Sequence, residues 1–252
     1  MLRSLRVVGV TAWCWVSGLG AQALATHPFG TEDAGTVGAG TAEVELATAL
    51  DAQGARVDGI GVSVVLHVGL ADALDVGTEL SFAAAPGADG GWGSAMGAPL
   101  IDAKWRLREP DGPAPGVAVK VAWAPPLSAD GPAAGHGLVG VLAATWAAGA
   151  TAIEANLGVT GCAGAEAATA TAFQAAVGAS VELSELVHAG VDAVLSMAVG
   201  ESLGLDMMAG ALFHVAPDRV VSVGVGVGVH DEATAWVASA ALTATFGSGS
   251  AP

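Results

Sequence analysis

The stretch that decides the fold is Arg219-Val-Val-Ser-Val-Gly-Val-Gly-Val-Gly-Val-His230, near the carboxyl end of the 252-residue chain. Valine occupies positions 221, 223, 225, 227 and 229, and serine, glycine or histidine occupies the positions between and after them. Alternate residues of a β-strand point to opposite faces. The stretch therefore predicts a strand with one apolar face and one small or polar face.

The same alternation recurs in eleven other segments of the chain. These segments are 43–50, 60–68, 74–82, 101–107, 117–123, 138–147, 150–160, 170–182, 186–196, 203–214 and 235–246. A tilted strand needs about ten residues to cross a bilayer, and bacterial outer-membrane barrels have an even number of strands. We therefore expect an all-β fold: a transmembrane antiparallel up-and-down β-barrel of about 12 strands, with its apolar rows facing lipid.

Two other fold classes fit the composition less well. Mean hydropathy is +0.60, and the uncharged segment 133–153 is long enough for a membrane helix, but its glycine clusters lower helix propensity. A soluble β-sandwich would also alternate, but it needs a charged exterior, and only 13% of the residues are charged.

The connections between the strands alternate in length. Leu70-Ala71-Asp72, Ala147-Ala148-Gly149 and Leu183-Ser184 read as tight turns, and longer links are expected near 84–97, 125–137 and 161–169. Short periplasmic turns and longer outer loops are typical of outer-membrane barrels. The link Glu109–Pro115 is longer than this rule expects.

The first 25 residues have the layout of a secretory signal peptide. Arg3 and Arg6 precede the apolar run 7–19, and Ala23-Leu24-Ala25 provides the small residues of a cleavage site. The run is too short for a membrane anchor. We predict a signal peptide at 1–25 cleaved after Ala25, one barrel domain at 26–252, and insertion into the bacterial outer membrane.

Composition excludes several functions. The formal net charge of −16 argues against nucleic acid as a partner, which needs a basic surface. Of the two cysteines, Cys14 lies in the signal peptide, so no cysteine-based metal site is expected. The inward face that carries the acids also carries three histidines, His67, His188 and His214. These residue types are compatible with a metal or catalytic site, but their presence alone does not indicate one. We expect no cofactor, no metal and no catalytic residue.

Charges on the inward faces form the predicted site. Counted from a periplasmic start, several acids and bases of neighbouring strands fall at similar depth in the periplasmic half, and neighbouring strands bring such charges within pairing distance. The predicted ion-pair cluster of the lumen consists of Glu43, Glu45, Asp75, Glu79, Asp102, Lys104, Arg106 and Lys120. It either braces the wall or selects solutes, in which case the acidic remainder, Glu79, Asp102, Glu154, Asp192 and Asp206, favours cations.

The last strand carries a candidate assembly signal. Its outward row begins at Trp236 and ends at the aromatic Phe246, which is followed by six further residues. Such a row resembles the signal read by the outer-membrane insertion machinery, so Phe246 is predicted to serve as that signal.

Four short motifs, in order, resemble one known family. They are His27-Pro28-Phe29-Gly30-Thr31-Glu32-Asp33-Ala34-Gly35-Thr36 with the following Gly38, Gly40 and Glu45, then Gly69–Gly77, Asp102–Leu107 and Ala235–Phe246. The chain resembles the MetA-pathway of phenol degradation family of outer-membrane transporters. The resemblance implies a barrel that passes hydrophobic or aromatic compounds, and it supplies no catalytic residues.

The function expected from these features is a non-enzymatic, porin-like channel for small solutes, acting by passive diffusion in outer-membrane lipid. One alternative is a lipid-modifying hydrolase, which needs serine, histidine and a carboxylate or amide to meet near the lipid interface. The inward direction of the strand histidines counts against it. Another alternative is a structural or adhesive barrel acting through its outer loops, but the loops here reach only about fourteen residues.

Overall fold

The computed structural model describes residues 29–87, 91–125, 136–163, 170–200, 202–230 and 233–247. The regular elements in these ranges are thirteen β-strands: β1 (Thr41–Gln53), β2 (Arg56–Ala71), β3 (Leu74–Pro86), β4 (Trp92–Met96), β5 (Leu100–Arg108), β6 (Gly116–Ala124), β7 (His136–Ala148), β8 (Thr151–Ala163), β9 (Ala170–Ser184), β10 (Val187–Ala198), β11 (Leu203–Ala216), β12 (Arg219–His230) and β13 (Ala233–Gly247). The predicted signal peptide and its cleavage after Ala25 lie outside the described residues.

The strands form one closed antiparallel barrel. Neighbours in the chain pair with one another, and β1 pairs with β13, from Thr41 opposite Gly247 to Ala52 opposite Trp236. The strands β4 and β5 share one place, because β4 pairs with the last residues of β3 and β5 pairs with its first residues. The barrel therefore has twelve strands, which confirms the predicted fold class. No helix in the described ranges is long and apolar enough to cross a membrane.

Burial is inverted relative to a soluble protein. On β12 the valines at 223, 225 and 229 are exposed on the outside, whereas Ser222 on the opposite face is only 3% exposed. On β2 the side chains of Ile60, Val62, Val64 and Leu66 are likewise exposed, and Ser63 is buried. An apolar exterior around a polar interior is the arrangement that lipid requires.

Aromatic side chains form two belts on the outside. We call the end where β1 begins and β13 ends the terminal end, and the opposite end the far end. The exposed aromatic residues near the terminal end are Trp105, Trp146, Phe213 and Phe246; those near the far end are Phe82, Trp92, Trp123, Phe173 and Trp236. Girdles at both membrane interfaces are usual in such barrels, and tryptophan and phenylalanine form them here without tyrosine.

Several boundaries differ from those expected from sequence. The link expected near 84–97 is partly strand, because β3 continues to Pro86 and pairs with β4. The tight turns fall one or two residues later than expected, at 72–73, 149–150 and 185–186, because strand pairing continues through alanine and leucine residues. The long link Glu109–Pro115 folds into its own tight hairpin, with Asp111 and Ala114 exchanging backbone hydrogen bonds of 3.1 and 2.9 Å.

The outward valines provide a test of the membrane-facing surface. Val225→Lys, at the middle of β12, should lower the free energy of unfolding by about 2–4 kcal/mol, because it places a cation near the bilayer midplane. Val215→Lys, near the terminal end of β11, should cost only about 0–1 kcal/mol. Urea titration of protein refolded in phospholipid vesicles measures both values. Equal losses would mean that lipid does not surround this face.

The place of Phe246 supports a second experiment. Its side chain is exposed in the terminal belt, on the strand that closes the barrel. We expect Phe246→Ala to slow insertion into outer membranes by removing the terminal aromatic. Phe213→Ala is the matched control, because Phe213 lies in the same belt but on the internal strand β11. Assembly is followed by heat-modifiable mobility on gels. Equal insertion rates for both variants would refute a signalling role.

Candidate functional site

Residues 29–40, which precede β1, run through the inside of the barrel, and we call them the strap. The strap begins beside β10, where the Gly30 amide donates a hydrogen bond to the Asp192 carboxylate. It ends beside β2, where the Gly40 amide donates to the Gly69 carbonyl at 2.9 Å. Three strap residues, Thr31, Glu32 and Ala34, are among the most buried in the protein.

The strap lies inside the ring of wall strands and follows a shorter path than the wall. On the side of the barrel that the strap contacts, β2 and β10 are seven strand spacings apart. Seven spacings of about 4.8 Å need about 34 Å of chain. The backbone of Gly38 already lies against Gly69 of β2, and the eight residue steps from Gly30 to Gly38 reach at most about 29 Å. The strap therefore takes an inner path along the β10-to-β2 side of the wall, shorter than the wall itself, in the half of the barrel nearer the terminal end.

One carboxylate in the strap joins two lysines of the wall. Glu32 Oε1 lies 2.8 Å from Lys104 Nζ, and Glu32 Oε2 lies 3.1 Å from Lys120 Nζ. Burial alone would raise the pKa of Glu32, but the two ammonium groups outweigh burial and hold this pKa below its ordinary value of 4.5. Asp33 Oδ1 lies 2.9 Å from the same Lys104 Nζ, and this ammonium lowers the pKa of Asp33.

Neutral groups complete the docking of the strap. The Glu32 amide donates to Asn156 Oδ1, and Asn156 Nδ2 donates to the Glu32 carbonyl, both at 2.7 Å. The Thr31 hydroxyl donates to Glu154 Oε2 at 2.7 Å, and the Ala34 amide donates to Thr145 Oγ1 at 2.9 Å. Side chains of three wall strands, β7, β8 and β10, thus contact residues 30–34 with hydrogen bonds.

Glycine in the wall makes room for this docking. A β-carbon on Gly178 would lie 2.8 Å from Thr31 Oγ1, and one on Gly190 would lie 2.8 Å from Phe29 Cζ. Either distance is too short for a real contact, so a larger residue would push the strap away from β9 and β10.

The predicted cluster residues lie around this site. Asp75, Lys104 and Lys120 are successive cross-strand partners on β3, β5 and β6. Both lysine ammonium groups nevertheless contact carboxylates of the strap, which are not part of the predicted cluster. The Asp75 carboxylate instead accepts a hydrogen bond of 2.9 Å from the Val37 amide of the strap.

The other cluster residues have separate surroundings. Arg106 lies at the terminal rim, where it donates to the Asp72 carbonyl and pairs with Glu109 at 2.8 Å. Glu45 Oε2 accepts a hydrogen bond from the Thr243 hydroxyl at 3.1 Å.

Three further cluster acids line the wall beside the lysines. Glu43 is the cross-strand partner of His67. His67 Nε2 lies 3.5 Å from Asp102 Oδ1. Glu79 is 3% exposed, and neither of its oxygens has a hydrogen-bond partner among the described residues.

The histidines face different surroundings. The rings of His188 and His214 lie 4.9 Å apart near the terminal end, and His136 stacks on the outward Trp123 near the far end. Among the described residues, no group of three or more His, Cys, Asp and Glu is arranged to hold a metal ion.

A cavity of about 160 Å³ remains on one side of the strap. Its lining includes Phe29 and Asp33 of the strap, with Glu154, Ser180 and His188 of the wall. A water molecule takes about 30 Å³ of liquid volume, so this space fits only a few waters or one small solute.

Comparison with known proteins places this architecture in a class. No protein-family model matches the chain, and no curated protein matches its sequence. Among solved structures, it is similar to the NanC porin, with a TM-score of 0.60 and 8% identity over 80% of this chain and 98% of that chain. It is also similar to the KdgM porin bound to disordered oligogalacturonate, with a TM-score of 0.56 and 7% identity over 80% and 99%.

A third similar structure is not named as a porin. The translocator domain of the autotransporter NalP from Neisseria meningitidis gives a TM-score of 0.58 at 11% identity, over 96% of this chain and 98% of that chain. At such identities the likeness establishes the fold alone, which is that of outer-membrane β-barrels of the porin type. These matches carry no information on the MetA-pathway family, so that resemblance stays a prediction.

The ion pairs of Glu32 predict a pH dependence. A lowered pKa in the folded state means that ionised Glu32 stabilises the fold above its ordinary pKa of 4.5, and that this stabilisation disappears as the pH falls through the lowered value. We expect Glu32→Gln to cost about 3 kcal/mol at pH 7, the lower end for a broken buried pair, because Asp33 stays beside Lys104.

Urea titrations of wild type and Glu32→Gln from pH 7 to pH 3 measure this cost. The difference between the two proteins should stay constant down to about pH 4.5 and then shrink. The ion pair of Arg106 with the exposed Glu109 provides the control, so Glu109→Gln should change stability by less than about 1 kcal/mol at every pH. A difference for Glu32→Gln that does not depend on pH would contradict the ion pairs.

Proposed function

We propose that the protein is an outer-membrane channel that passes small solutes by passive diffusion and prefers cations. The observation that carries this proposal is the charge of the lumen. The inward acids are Glu43, Glu45, Asp51, Asp75, Glu79, Asp102, Glu154, Asp192 and Asp206, whereas the inward bases away from the rim are Lys104 and Lys120. An excess of carboxylates along a pore attracts cations and repels anions.

The far half of the lumen supports the same proposal. Asp51 and Asp206 lie on β1 and β11, near enough for their charges to repel each other across the lumen. The other inward residues of this half are mostly alanine, glycine and serine, which leave space for solutes. The architecture shared with the NanC and KdgM porins also favours a channel.

The resemblance to the MetA-pathway family adds a more specific proposal, that aromatic compounds are among the solutes. Cleavage of the signal peptide after Ala25, export and insertion by the outer-membrane machinery belong to the same proposal. A channel does not turn over its solute, so we propose no enzymatic activity.

Planar-bilayer recording tests the channel and its selectivity. Under a KCl gradient, the reversal potential of wild type should show cation preference. Asp51→Asn with Asp206→Asn should reduce this preference, because it removes two charges from the lumen far from the strap. Glu109→Gln, an exposed rim residue, should leave it unchanged. Anion preference, or no effect of the double variant, would contradict the proposal.

Addition of phenol and of benzoate during the recording tests the solute class. A solute that enters the lumen should reduce the KCl current reversibly. Hydrolysis of phospholipid or of ester substrates by the refolded protein would favour the hydrolase alternative instead.

A further inference from the structure

We propose that residues 29–38 of the strap are a removable plug. In this account Lys104, Lys120 and Asn156 form a binding site for an extended acidic peptide, the strap is its resident ligand, and the channel conducts fully when the strap leaves. This inference rests on the proposed channel function and adds its regulation.

The wall recognises the strap as a peptide. Asn156 pairs with both backbone groups of Glu32, which is the way a neighbouring strand would pair with that residue. Each lysine contacts one oxygen of the Glu32 carboxylate. The Thr145 hydroxyl oxygen accepts a hydrogen bond from the Ala34 amide. These groups lie on β5, β6, β7 and β8, so the site is built from the rigid wall and does not depend on a loop.

The two halves of the strap are attached differently. Apart from the bond between Asp33 and the Gly35 amide within the strap, the hydrogen bonds described for residues 30–34 go to side chains of the wall. The other half is fixed next to β1, through the backbone bond from Gly40 to Gly69. Gly38 and Gly40 have positive φ values of 86° and 73°, a region that glycine enters without strain. The arrangement allows residues 29–34 to swing about a hinge at 38–40.

The wall can also compensate its lysines when the strap is absent. Asp75 lies opposite Lys104 on the neighbouring strand, and its Oδ1 atom has no hydrogen-bond partner among the described residues. Both oxygens of Glu79 likewise have no hydrogen-bond partner among the described residues, and the Glu79 carboxylate interacts electrostatically with Lys120. Each lysine thus has a second carboxylate nearby. Release of the strap would leave each lysine beside a wall carboxylate instead of alone, as a two-state element requires.

Release would widen the half of the channel that the strap occupies. A closed barrel of twelve strands has a backbone diameter on the order of 20–25 Å, and inward side chains occupy part of it. An extended chain held against one side of this opening takes up part of it.

A disulfide between strap and wall tests the proposal in the full-length chain. Thr31 and Gly178 suit it, because the distance from a β-carbon on Gly178 to Thr31 Oγ1 places the two β-carbons within roughly 4 Å, the reach of a disulfide. The variant Thr31→Cys with Gly178→Cys is made in a Cys162→Ala background and oxidised with diamide. Gel mobility reports the cross-link, and bilayer recording reports the current before and after reduction.

The matched control places a disulfide in the wall only. Ser63 and Ser81 are direct cross-strand partners on β2 and β3, away from the strap, so Ser63→Cys with Ser81→Cys uses the same background and treatment. We expect the cross-link of strap to wall to form, its oxidised channel to conduct several-fold less than its reduced channel, and the control to conduct equally in both states. Glu32→Gln should raise the current of an otherwise unmodified chain.

Other outcomes overturn the proposal. Equal current from the oxidised and reduced Thr31–Gly178 variant would show that the strap is a fixed brace, and failure of the cross-link to form would show that the strap is not docked there. Current that is absent from every variant and from wild type would instead refute the channel function, and the plug with it.

Discussion

The structure depends on one carboxylate that two lysines share. Glu32 brings a negative charge into the lumen at the point where Lys104 and Lys120 are buried, and a buried cation without a counter-charge is strongly unfavourable. The contact fixes where the strap lies inside the barrel, and therefore which half of the lumen it occupies. It also explains why two lysines occur inside a chain that has few basic residues.

The membrane explains why this interaction lies inside. A barrel in lipid must turn its apolar rows outward, so nearly every charge has to be placed in the lumen or at a rim. The lumen must then hold charged groups and still leave space. Small residues meet this second requirement, and Gly178 shows it most clearly, since its missing side chain is the space that Thr31 of the strap occupies.

The period of the sequence was sufficient to predict the barrel, because lipid acts on every strand in the same way. The spacing of the valines from 221 to 229 at every second position indicates directly that they lie on the exposed face. Boundaries were less predictable, since alanine and leucine at 147–148 and 183 can pair or turn. The strand β4 was missed because its five residues are mostly exposed and lack a buried row.

The site was only half predictable, for a physical reason. Inward direction follows from strand parity, so the sequence placed Lys104 and Lys120 in the lumen. Their partner could not be found by parity, because Glu32 lies outside any strand and 72 and 88 positions away from the two lysines. The available signal was an acidic pair, Glu32-Asp33, directly before the first strand of a barrel whose inward lysines need carboxylates.

A double-mutant cycle tests the central claim, that Glu32 binds Lys104 inside the lumen. Free energies of unfolding are measured at pH 7 for Glu32→Gln, Lys104→Met and their combination. We expect a coupling energy of about 1.5–3 kcal/mol, as for buried charged groups in direct contact. The same cycle with Glu43→Gln, a wall acid that does not contact Lys104, should give less than about 0.5 kcal/mol. A coupling energy near zero for Glu32 would mean that the strap is not held in the lumen by this ion pair.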